Sequence, residues 1–152
     1  MFITTHLAAG LIVGKLTGSY PLALAGAVIW DVDHLIPYYH RGILKSPKKF
    51  WRAITTEADP YHGQRGWLHN VFAWLLITGV SLLLVPFQFG VAFSLGYLSH
   101  LILDALDSAD FWPFYPVQKI NVRGPIQYFS RGEILLMVFL LFTAWITPSS
   151  LF

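Results

Sequence analysis

Within the apolar stretch Gly96-Tyr97-Leu98-Ser99-His100-Leu101-Ile102-Leu103-Asp104-Ala105-Leu106-Asp107, a histidine and two aspartates stand among leucines and isoleucine. On a helix His100 and Asp104 fall four residues apart with about 5–6 Å between their Cβ atoms, a spacing that holds one metal ion or brackets two. Alone, such a pair is most simply a histidine hydrogen-bonded to an aspartate in a packed bundle. It has company. His6 precedes the first apolar segment, Asp31-Val32-Asp33-His34 ends the second, and Arg65-Gly66-Trp67-Leu68-His69-Asn70 opens the third. Imidazole and carboxylate donors from four segments form a ligand set suited to zinc or a comparable divalent ion. The candidate metal ligands are His6, Asp31, Asp33, His34, His69, His100 and Asp104, shared among one or more ions. Such an ion acidifies its bound water toward a pKa of about 7. With Asp33 as general base and Arg65 as the seat of an anionic group, the chemistry indicated is hydrolysis of an ester, a phosphoester above all.

Electrostatics points the same way. Carboxylates are unfavourable near helix C-termini, where the macrodipole is negative, yet Asp31 and Asp33 end one predicted helix and Asp104 and Asp107 approach the end of another. A bound cation offsets both. Arg65 stands at a helix N-terminus, where backbone N–H groups attract anions. On a helix Asp31 and His34 share a face while Asp33 turns elsewhere. His40 and His62 have no patterned partners, Asp107 is placed around the ligands rather than among them, and Glu133 is accounted for by helix capping.

The elements that must position these groups follow from composition. Hydrophobic residues make up 55% of the 152 residues and charged residues 12%, with a mean hydropathy of +0.56. The charge share is about half that of an ordinary soluble domain, so the class expected is a single membrane-embedded domain over 1–152. The absence of cysteine excludes disulfides, thiolate ligands and a cysteine nucleophile. No basic region precedes the first apolar run, so no signal peptide is read there.

The fold expected is all-α: a polytopic helical membrane bundle of about five helices, the first two short. Thr17-Gly18-Ser19-Tyr20-Pro21 breaks the first apolar run. Thr4 or Thr5 caps the first helix, and the second ends near Ile36, ahead of Pro37. From Tyr38 to Gly66 the chain is polar and basic, with a short interfacial helix around Lys48 to Thr55 and a patch over Lys45 to Arg52 suited to a lipid surface rather than nucleic acid. Trp67 to Val85 is long enough for a span, and a helix returns from Gly90 to about Asp107. Ser130-Arg131-Gly132-Glu133 is a capping box opening the last helix, Ile134 to Ile146. The basic loops share one side of this topology, which the positive-inside rule makes the cytoplasm. The metal residues then face the cytoplasm from the inner membrane.

Thr5-His6, Asp31-Val32-Asp33-His34, Arg65-Gly66-Trp67-Leu68-His69-Asn70 and Gly96 to Asp104 resemble, in order and spacing, the motifs of the YdjM or LexA-binding family of inner-membrane-associated, metal-dependent hydrolases. The likeness runs from His6 to Asp104. In that family the third motif usually reads HRGxTHS; here Gln64 replaces its first histidine and Asn70 its serine, so no ligand is assigned to Gln64. The HxxxD spacing also looks like that of the zinc-dependent phospholipase C and P1-nuclease group, a fold-level analogy. The resemblance implies a metal-dependent hydrolase; the partners expected from the site's place at the membrane and its anion seat are the bilayer and a lipid-like or phosphorylated small-molecule substrate. The alternative is a non-catalytic membrane binding protein or scaffold whose basic loops recruit a cytoplasmic partner, as the LexA-binding name implies. An ion or proton transporter ranks below both, since its polar residues would line a path near the midplane.

Overall fold

The computed structural model describes residues 1–55 and 67–149. Its named elements are all helices, with no named strand among the described residues; residues 107–130 form an irregular connection with isolated bridges at Asp107–Ile126 and Phe111–Val122. Helix α1 (Ile3–Thr17) stops at Gly18, which takes the left-handed conformation (φ 69°), and α2 (Tyr20–Val28) starts at once with Pro21 in its first turn. The expected break at Gly18 to Pro21 is therefore a tight hairpin. Neither Thr4 nor Thr5 caps α1: the helix begins after Phe2 without a side-chain cap, and Thr5 Oγ1 instead donates to Glu133.

The second apolar run does not continue as one helix to Ile36. It passes from α2 into a 3₁₀ segment, Ile29–His34, and resumes as α3 (Leu35–His40). Pro37 sits in the first turn of α3, where its missing N–H removes no helical hydrogen bond. A helix stands where a short one was expected, α4 (Pro47–Thr55). Helix α5 covers Val71–Leu84, beginning four residues later than a span from Trp67 would. The reason is local: Asn70 caps it by accepting from Ala73 N at 2.9 Å and donates to the Trp67 carbonyl, holding Trp67 to Asn70 outside the helix. Helix α6 (Phe87–Leu106) is the described helix long and apolar enough to cross a membrane, with 20 residues or about 30 Å. Helix α7 (Arg131–Ile146) opens on Ser130, whose Oγ accepts from Glu133 N at 3.2 Å.

Packing centres on α6, which lies against α1, α2 and α5, while α1 also contacts α7. Between α2 and α6 the backbones nearly touch. A Cβ on Gly26 would lie 2.1 Å from the Phe93 carbonyl oxygen, and one on Gly96 would lie 2.3 Å from that of Ala23. Beside this contact Trp30 stacks on Tyr97 with ring centroids 3.7 Å apart, joined by Leu101 and Phe111 in a small apolar core.

Polarity is distributed the opposite way from a soluble domain. His6, His69, His100, Asp33, Asp104, Asp107 and Glu133 are buried, whereas Leu76, Leu83, Leu84, Leu135, Phe139 and Trp145 on α5 and α7 are exposed. Exposed apolar surface on this scale marks contact with lipid or another chain. Glu133, read as a cap, does more than cap. Its carboxylate accepts from Phe2 N and Phe129 N and meets Thr5 Oγ1, tying the start of α1 to the start of α7.

Candidate metal centre

The 3₁₀ segment after α2, the turn before α5, the last two turns of α6 and the first turns of α1 bring the predicted residues together. His69 Nε2 and His100 Nε2 stand 3.0 Å apart. Asp31 Oδ1 lies 3.7 Å from each of them, and Asp104 Oδ2 lies 3.6 Å from His69 and 3.5 Å from His100. Atoms bound tetrahedrally at about 2.0–2.2 Å from one centre stand about 3.3–3.6 Å from each other. The observed separations, 3.0 to 3.7 Å, bracket that range.

Orientation is set from behind each ring. His100 Nδ1 lies 2.7 Å from the Ala27 carbonyl, which can only accept, so Nδ1 carries the proton and Nε2 presents its lone pair. His69 Nδ1 lies 3.0 Å from Asp33 Oδ2 and donates to it in the same way. Two lone pairs and two carboxylate oxygens thus face one point, an arrangement that requires a positive charge. A proton can supply it: burial pushes His69 down, but hydrogen bonding to Asp31 and Asp33 and the charge of Asp104 outweigh it, and its pKa is raised to about 9. Burial pushes Asp31 up, but the hydrogen bond to His69 and the charges of His100, His6 and His34 hold it at about 2. A divalent cation would replace that proton.

The remaining predicted ligands surround the quartet. His6 stacks on His100 at 4.0 Å, with Nε2 3.7 Å from Asp104 Oδ1 and a buried Nδ1 that has no hydrogen-bond partner among the described residues. His34 Nε2 is likewise without one, 3.8 Å from Asp31 Oδ1 and 3.6 Å from Asp33 Oδ1. Donor atoms of His6, His100 and Asp104 form one group lying within 4.8 Å of one another, and those of Asp31, His34 and His69 form a second. The donor chemistry and spacing fit zinc, at a four-atom centre where the two groups meet or as two adjacent ions. Asp33 approaches the centre through His69, the part that the sequence reading gave to Asp107. Asp107 is occupied elsewhere: its Oδ2 lies 2.5 Å from the Met1 amine and its Oδ1 accepts from Ala109 N. His40 is exposed on α3 and apart from the cluster. Arg65, Gln64 and His62 lie outside the described residues. The Ala27 carbonyl carried no signal in the sequence, because its part depends on the close α2–α6 approach.

A helical chain that buries a histidine–aspartate cluster and turns apolar helices outward belongs among membrane proteins with a polar interior site. More specifically, the chain belongs to the YdjM inner membrane protein family, whose model matches residues 1–151. No curated protein and no solved structure matches it. The expected likeness to zinc-dependent phospholipase C and P1 nuclease is not shown, and remains an analogy of local spacing and helical character.

Proposed function

We propose that this chain is a polytopic membrane hydrolase that binds zinc or a similar divalent ion and cleaves a phosphoester, with its site at the cytoplasmic face of the inner membrane. The carrying observation is the pair of imidazoles locked by Ala27 and Asp33 so that both Nε2 lone pairs meet two carboxylates. Asp31, His69, His100 and Asp104 would hold the ion; His6 and His34 flank it and would complete a second position. When bound, the ion supplies Lewis acidity and brings the pKa of water toward about 7. Asp33 fixes the His69 ring, and its second oxygen, with His34, forms the side on which a proton can be taken up. Burial of His6, His69, His100 and Asp104 excludes bulk water from the other sides. The anion seat expected at Arg65 requires a helix starting at Trp67; α5 starts at Val71 instead, so helix position no longer supports that seat. The charge bias of the loops supports the cytoplasmic orientation.

The direct test is phosphate release by purified full-length protein from a panel of phosphoesters, before and after chelation and on readdition of zinc, manganese or magnesium. Activity that disappears with the ion and returns with one of them is expected. Protein that neither retains an ion nor gains activity from any of them overturns the proposal. Asp33→Ala should lower metal affinity about 10- to 100-fold, the range for losing a group that orients a ligating histidine. Competition against a chelator of known affinity measures it, and Asp33→Asn, which keeps an acceptor, should lose less.

A further inference from the structure

We infer that the substrate of this site is a phosphate ester carried by a membrane lipid, which reaches it across the apolar rim of residues 29–39 with its headgroup held among the cations that follow. This rests on the hydrolase reading and names its substrate class. Access is one-sided: Asp31 and His34 keep 28% and 24% of their side-chain surface, whereas His69, His100 and Asp104 keep 3% or less. A ligand therefore arrives at Asp31 and His34. The same eleven residues expose Ile29, Val32, Leu35, Ile36 and Tyr39, the last two by 61% and 66%. A small, fully hydrated phosphate would gain nothing from that surface. A hydrocarbon chain would, at about 25 cal/mol for each Å² of apolar area covered.

The other end of the ligand is indicated by charge. Between Leu35 and Thr55 the chain carries Arg41, Lys45, Lys48, Lys49 and Arg52 and no acid. On α4 the residues from Pro47 to Arg52 are all exposed, including Trp51, and Phe50 meets the Tyr38 ring edge-on at 6.3 Å. A nine-residue helix so exposed is marginal in water. A helix with cations on one face and aromatic residues on the other suits an anionic lipid surface. An apolar rim joined to a cationic helix matches an amphiphile with an anionic head. In the reaction water adds to phosphorus, the P–O bond to the lipid alcohol breaks, and that oxygen leaves with a proton derived from the water.

The test uses zinc-loaded full-length protein in phosphatidylcholine nanodiscs. Phosphatidic acid and phosphatidylglycerol in the disc are each compared with the water-soluble counterpart, glycerol 3-phosphate or glycerophosphoglycerol, by phosphorus NMR of the products. Cleavage of at least one lipid more than tenfold faster than its counterpart is expected. Ile36→Ser combined with Tyr39→Ser, both at exposed positions, should remove most of that advantage while leaving turnover of the soluble ester unchanged. Equal or faster cleavage of the soluble esters overturns the lipid inference and leaves the hydrolase reading standing. A lipid advantage untouched by the double substitution overturns the rim as the path. No cleavage of any ester, with zinc bound, removes the hydrolase reading and this inference together.

Discussion

His100→Ala and Asp104→Asn should each lower metal affinity by more than about a hundredfold, beyond the ~10–100-fold range for losing an orienting group. Both supply donor atoms to the four that face one point, and a tetrahedral ion left with three protein ligands loses a bond. The two variants separate metal binding from a purely structural cluster. With the ion at 100 times its dissociation constant, wild-type protein gains about 2.7 kcal/mol of stability from binding, and its melting temperature should rise accordingly. Neither variant should show that rise at the same concentration. Without metal, Asp104→Asn takes away a charge that helps hold the proton on His69, so it should melt no higher than wild type. Metal-to-protein ratios after gel filtration and thermal melts with and without zinc measure both effects. A cluster that serves only as a hydrogen-bonded core would show no dependence on zinc in wild type or either variant.

The second large effect is expected at a residue that touches no ligand. Gly96→Ala places a methyl group against the Ala23 carbonyl oxygen, at a distance that backbone movement alone can relieve. Overpacking of this kind costs about 1–3 kcal/mol, or roughly 2–4 °C of melting temperature per kcal/mol in a chain of this size. The consequence for the site is larger than the loss in stability. Forcing α2 and α6 apart withdraws the Ala27 carbonyl from His100 Nδ1, so the ring is no longer held with Nε2 toward the centre, and metal affinity should fall at least tenfold. Gly79→Ala is the control. A Cβ there meets nothing within 4 Å, and in a helix interior alanine is favoured over glycine by about 1 kcal/mol. If the two variants melt alike and bind metal alike, the close approach does not position His100.

Much of the site was legible because its residue types are costly in an apolar chain and so stand out. His100 and Asp104 lie 3.5 Å apart on α6, as their spacing required. The hairpin at Gly18 was legible from turn residues, and it returns His6 to the end where His100 lies. Other features depend on three-dimensional neighbours. The 3₁₀ geometry of Ile29–His34 was not visible in the apolar pattern; it lets Asp33 reach His69 while Asp31 reaches the centre, although an α-helix would have sent Asp33 away. The helix after Trp67 was read too long because hydrophobicity continues through residues that Asn70 holds in a turn. Glu133 matched a local capping box, and nothing local distinguishes a surface cap from a buried carboxylate serving two helices.

That carboxylate also bears on the order in which the molecule can assemble. Asp31, His69, His100 and Asp104 all precede α7 in the chain, and the His69–His100 contact closes a loop of only 31 residues. The bond from Phe2 N to Glu133 spans 131. Contacts of short sequence separation form with less loss of chain entropy. During synthesis the inner quartet, the Met1 contact to Asp107 and the stacking of His6 on His100 can all form as soon as Asp107 is made, whereas the bond from Phe2 N waits until Glu133 has emerged. The seat proposed for the ion thus needs only contacts made before α7, and the tie between the starts of α1 and α7 is the late one.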